Sequence, residues 1–168
     1  RQRRPVHALK RLAAIVRSLV RHPLEVAVST ILVALVAVTF SQVVFRYVLE
    51  ASLSWSEELA RFLLMWLAAL STAYAMKTGA HFALRFLVDR TPPAAQRLIG
   101  TLVAASTALF LAVFAYQSLR FAIEVHDMLA PATRMSMAIP YSSAFVGSTL
   151  TLYYVLINWR REFHPCAR

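Results

Sequence analysis

The sequence predicts an all-α integral membrane protein of four transmembrane helices, flanked by interfacial amphipathic helices, with both termini cytoplasmic. Three observations predict it. Four apolar runs approach or exceed the length needed to cross a bilayer. The connectors between them alternate between many and few Lys and Arg. The 168 residues are 59% hydrophobic and only 15% charged, with mean hydropathy +0.57, too apolar for a soluble domain of this size.

The first run, Leu24 to Phe45, holds 22 residues. At 1.5 Å per residue it covers about 33 Å, enough for a hydrocarbon core of about 30 Å. The basic segment before it imitates a signal peptide. The run is longer than an h-region of roughly 7–15 residues, and no small-x-small cleavage site bounds it, so an uncleaved first span is expected. The second run, Leu59 to Met76, is interrupted by Arg61 alone. The third, Leu98 to Leu119, and the fourth, Tyr141 to Trp159, carry no formal charge. Pro140 leads into the fourth and suits a first helical turn, where its missing N–H is not needed. Spans are expected over about 24–45, 56–76, 97–120 and 140–159, within one transmembrane domain of residues 23–160.

The charges orient these spans. Arg1, Arg3, Arg4, Lys10, Arg11, Arg17 and Arg21 precede the first run. The first connector has only Arg46, opposed by Glu50. The second has Lys77, Arg85, Arg90 and Arg97, and the third has Arg120 and Arg134 against Glu124 and Asp127. The tail carries Arg160, Arg161 and Arg168. The positive-inside rule therefore places both termini and the middle connector in the cytoplasm.

Two further stretches read as interfacial helices. Residues 1–22 form a basic amphipathic segment in which Val6, Leu9, Leu12, Ala13, Val16, Leu19 and Val20 repeat at helical spacing. Phe82 to Val88 is apolar apart from Arg85, too short to span, and closed by Thr91-Pro92-Pro93. A helix docked on a protein partner has the same pattern. Residues 161–168 are a cytoplasmic tail, in which Cys166, the single cysteine, has no thiol to pair with.

Several function classes are disfavoured. The net charge of +10 lies between and beside the apolar runs, so no basic face remains for nucleic acid. His7, His22, His81, His126 and His164 all lie in connectors, tails or span ends, where they cannot hold a haem between helices. Glu124, His126 and Asp127 cluster in one connector, but such clusters are usually solvated rather than metal-binding. No nucleophile–base motif and no phosphate loop is present, so neither enzyme activity nor a cofactor is expected. A self-contained homodimeric exporter is the alternative. It would need a membrane-embedded carboxylate, and Glu25, at a span edge, is the only candidate.

The most informative polar stretch is Ser54 to Arg61, SWSEELAR. Ser54 and Glu57 fit a capping box, so a helix should start here. Glu57 and Glu58 fall in its first turn, where the helix dipole favours negative charge. Arg61 is four residues after Glu57 and three after Glu58, so it can reach either. It also points back toward the interface and can snorkel. Trp55 suits the aromatic belt. The run reads as a capped interfacial helix end or as a polar contact with another membrane subunit. Small residues also recur every fourth position, at Gly100, Ala104, Ala108 and Ala112 in the third span and at Ser143, Gly147 and Thr151 in the fourth. Such stripes let helices approach closely, within this chain or against a larger partner.

These residues carry a resemblance. Phe45-Arg46-Tyr47 followed by Leu53-Ser54-Trp55-Ser56-Glu57-Glu58-Leu59-Ala60-Arg61-Phe62 is similar to the small, DctQ-like membrane subunit of tripartite ATP-independent periplasmic (TRAP) transporters. Lys77-Thr78-Gly79-Ala80-His81 resembles that family's basic-x-Gly-x-His turn, and Asp89 to Pro93 and Ile139-Pro140 fall at similar breaks. Ala83 and Arg85 depart from the basic and acidic residues expected after the histidine. The resemblance implies an accessory scaffold subunit in the bacterial inner membrane. Its partners would be the large membrane subunit of a sodium-coupled transporter, through it a periplasmic protein that captures an organic acid, and membrane lipid. By resemblance, Arg46, Tyr47, Trp55, Glu57, Glu58, Arg61, Gly79 and His81 are its partner-facing or structural polar positions.

Overall fold

Proline opens two of the helices, and an apolar run forms the middle of each. A computed structural model describes residues 22–51, 53–78 and 92–163. It contains α1 (Pro23–Tyr47), α2 (Ser54–Lys77), α3 (Pro93–Glu124) and α4 (Ala138–Phe163). The expected interfacial helices over Val6–Val20 and Phe82–Val88 lie outside the described residues, as do Gly79, His81 and Cys166.

Each helix overruns the apolar run that marks it. Hydropathy marks only the part suited to lipid, whereas the backbone ladder continues until something caps it. Pro23 and Pro93 open α1 and α3 at positions where no N–H is needed. The N–H of Val48 closes α1 on the carbonyl of Val44, and Glu50 then turns the chain with φ 51°. α3 has 32 residues, about 48 Å at 1.5 Å per residue, so it must tilt or project beyond a bilayer core.

The start of α2 corrects the expected capping box. The helix does begin at Ser54, but the N-cap position belongs to Leu53, with φ −92° and ψ 90°, and no side chain caps it. Ser54 is already inside the first turn, so its hydroxyl is no longer placed to accept from the free N–H groups. Ser56, 1% exposed, donates its hydroxyl to the carbonyl of Leu53 at 2.7 Å instead.

α1, α2 and α3 are each long and apolar enough to cross a membrane. α4 has 26 residues but carries many hydroxyls. Its serine and threonine hydroxyls are internally satisfied. Ser143 donates to the carbonyl of Pro140 at 2.6 Å, Ser148 to that of Ala144 at 2.7 Å, and Thr151 to that of Gly147 at 2.7 Å. Back-bonding of this kind lets a hydroxyl sit away from water without an orphaned donor.

The helices pack in the order α1–α2–α4–α3. α2 and α4 come close at Gly147. A Cβ added at Gly147 would stand 2.6 Å from the Cβ of Ala69 and 2.9 Å from its carbonyl oxygen. Only glycine allows this approach. Ser143 and Thr151, one turn to either side, are buried with it, so this small-residue stripe serves packing inside the chain. On α2 the matching buried positions include Phe62, Leu70 and Ala73. Phe121 of α3 meets Tyr141 of α4 edge to face, with ring centroids 4.9 Å apart.

Candidate polar sites at the two helix ends

The charged side chains of the described helices gather at two ends of the molecule. One end carries the α1–α2 connector and the α3–α4 connector. There the chain from Leu129 to Ser136 forms a small hairpin. The N–H of Ala130 donates to the carbonyl of Met135 at 2.8 Å, the N–H of Arg134 donates to the carbonyl of Ala130 at 3.0 Å, and Arg134 adopts φ 57°. Ser136 closes the base by donating its hydroxyl to the carbonyl of His126 at 2.7 Å.

Glu58 holds the tip of this hairpin. Its Oε2 accepts the backbone N–H of Ala132 at 3.2 Å and of Thr133 at 2.7 Å. Consecutive N–H groups in a tight turn form a concave donor pair, and a carboxylate is the acceptor such a pair binds best. The helix repeat explains why Glu58 does this and Glu57 does not. Glu58 lies one turn before the buried Phe62 and so shares its inward face. Glu57 lies one turn before Arg61, on an exposed face, and the two form an ion pair with side chains 60% and 71% exposed.

The structure thus separates three residues that the sequence places together. Arg61 takes Glu57, and Glu58 leaves its own helix to fasten a loop. Arg46 lies over the Tyr47 ring at 6.0 Å, and Tyr47 and Trp55 are both exposed. Glu124 pairs with Arg120 at 3.8 Å, and His126 lies 3.2 Å from Asp127. Among the described residues no three His, Cys, Asp or Glu side chains gather as a metal site.

The opposite end ties three helices together. Glu25 at the start of α1 lies 3.2 Å from His22 and 3.6 Å from Lys77 at the end of α2. Asn158 of α4 donates its Nδ2 to the carbonyl of Met76 at 2.8 Å. That carbonyl belongs to the last turn of α2, where helical partners run out. The contribution of Asn158 goes unnoticed in the sequence. The available signal is a lone amide just inside the end of an otherwise uncharged span.

A family model described as the DctQ component of tripartite ATP-independent periplasmic transporters matches residues 35–164. The chain belongs to this family. The matched range contains the α2 ion pair, the Glu58-held hairpin and the Gly147 contact. In this DctQ-family chain the apolar helices make a multi-pass membrane protein. It is similar to the sialic acid TRAP transporter small permease protein SiaQ of Vibrio cholerae, 32% identical over 80 residues, covering 48% of this chain and 46% of that one. It is also similar to the C4-dicarboxylate TRAP transporter small permease protein DctQ of Rhodobacter capsulatus, 26% identical over 107 residues, covering 62% and 47%. The chain spans about half the length of these curated relatives.

Proposed function

We propose that the chain is an accessory scaffold subunit that binds the large permease subunit of a sodium-coupled TRAP transporter in the bacterial inner membrane. The complex imports an organic acid captured by a periplasmic binding protein. In this reading α4 is the fourth span. Residues 1–22 and 161–168 lie on the cytoplasmic side of the 23–160 membrane domain. The hairpin held by Glu58 faces the periplasm.

The match to the DctQ component over residues 35–164 carries the proposal. Both relatives are named for carboxylic acids, which supports an organic acid as the solute. The distribution of charge supports a non-transporting role. Every charged side chain of the described helices lies within about two turns of a helix end. Glu25, the carboxylate that a self-contained exporter would need, is engaged at a helix end by His22 and Lys77. Arg46, Tyr47, Trp55, Glu57 and Arg61 stay exposed at the hairpin end and are available to a partner.

The decisive experiment expresses the chain with and without a large multi-span permease encoded beside it. A tag on this chain should then retain the permease through purification. Liposomes holding this chain alone should show no sodium-driven uptake, and uptake there would reject the scaffold reading.

A further inference from the structure

The end of the molecule where α3 begins and α4 finishes carries an apolar groove, and each of its two helices bears an arginine one turn beyond it. The groove runs between α3 and α4 and encloses about 220 Å³, lined by Thr101, Ala104, Ala105, Ala108, Leu156 and Trp159 among others. It exists because α3 offers alanine where a bulkier residue would meet α4. Arg97 lies four residues before Thr101, and Arg160 lies four residues after Leu156. Each arginine therefore sits one turn beyond a groove-lining residue, on the same face of its helix and toward the same end of the bundle. Helical side chains tilt toward the helix N-terminus, which carries Arg160 back toward the groove and Arg97 away from it, out to the headgroup level. Both are exposed, and among the described residues neither has an ion-pair partner.

We infer that this groove binds an anionic diacyl phospholipid. Part of one acyl chain lies along the alanines of α3, and the phosphate sits between Arg97 and Arg160. The groove supplies apolar walls at membrane depth, with a tryptophan at its polar end, where such rings favour the headgroup level. Two guanidinium groups supply the charge and the forked donors that a phosphodiester accepts. Basic residues beside a cleft between membrane helices favour anionic headgroups over zwitterionic ones. The inference rests on α4 crossing the membrane, as proposed above.

The test uses the intact purified chain in detergent, mixed with equal amounts of phosphatidylglycerol and phosphatidylcholine and read by native mass spectrometry. Phosphatidylglycerol should be retained about tenfold over phosphatidylcholine. Arg97→Gln with Arg160→Gln should bring that ratio close to one, whereas Arg97→Lys with Arg160→Lys should keep most of it. Arg46→Gln, at the other end, should leave it unchanged. Ala105→Phe should reduce binding of both lipids by filling the groove. Equal retention by the unaltered chain overturns the inference. A preference that survives the double glutamine change, or undiminished binding in Ala105→Phe, does the same. Single cysteines introduced at Ala132 or Glu162 in a Cys166→Ser background, labelled from each side of the membrane, report separately on whether α4 crosses. If both label from one side, the spanning reading fails whatever the lipid preference.

Discussion

α1 is the most apolar of the four helices and α4 the least, yet α4 holds many of the buried residues and α1 holds none. α1 exposes Val33, Val36, Phe40 and Val43 along its length, while α4 buries Ser143, Ser148, Thr151 and Pro140. In water the reverse would hold, because apolar surface is driven inward. In lipid that drive disappears, since a hydrocarbon tail is as good a neighbour as a leucine. Close approach, dispersion contacts and satisfied hydroxyls decide instead which helix is central. Large apolar side chains then mark the faces turned to lipid or to another subunit. Small and hydroxylated ones mark the seam.

The contrast can be broken by substitution, and the largest effect belongs to the seam. Gly147→Leu should force α2 and α4 apart, costing about 1–3 kcal/mol or abolishing the folded state, as read by thermal unfolding in detergent. Adding Ala69→Gly should restore only part of this, because the Ala69 carbonyl oxygen would still crowd the new side chain. The matched change on α1, Val33→Leu at a position 68% exposed, should stay within about 0.5 kcal/mol. Equal losses from the two would end the comparison.

Next comes Glu58→Ala. It removes the acceptor of two N–H groups and should cost about 1–2 kcal/mol. Hydrogen exchange should quicken at the amides of Ala132 and Thr133, with α1 unaffected. Asn158→Leu should cost about 1 kcal/mol by removing the side-chain donor to the Met76 carbonyl, and unfolding measurements should show it. The smallest effect is expected from Glu57→Gln. Its partner Arg61 is mostly exposed, so stability should shift by no more than about 0.5 kcal/mol. The same substitution should weaken retention of the large permease if this face is the subunit contact. A large stability loss from Glu57→Gln, with none from Glu58→Ala, would reverse the assignment of the two carboxylates.

Much of this molecule is legible from residue order alone. The apolar runs locate all four helices to within about five residues at each end, because helical rise and bilayer thickness together fix how long such a run must be. The SWSEELAR stretch identifies the family and the start of α2. Only the tertiary structure divides its acids. Spacing allows Arg61 to reach Glu57 or Glu58 equally well, and the choice is made by a hairpin more than seventy residues away, whose N–H groups claim Glu58. The same holds for Gly147. A small-residue stripe states that some helix comes close, and its partner, Ala69, is known only once α2 and α4 are in place. Local pattern is set by neighbours a turn apart and so can be read along the chain. Which faces meet depends on contacts between distant segments, and nothing in a single helix encodes them.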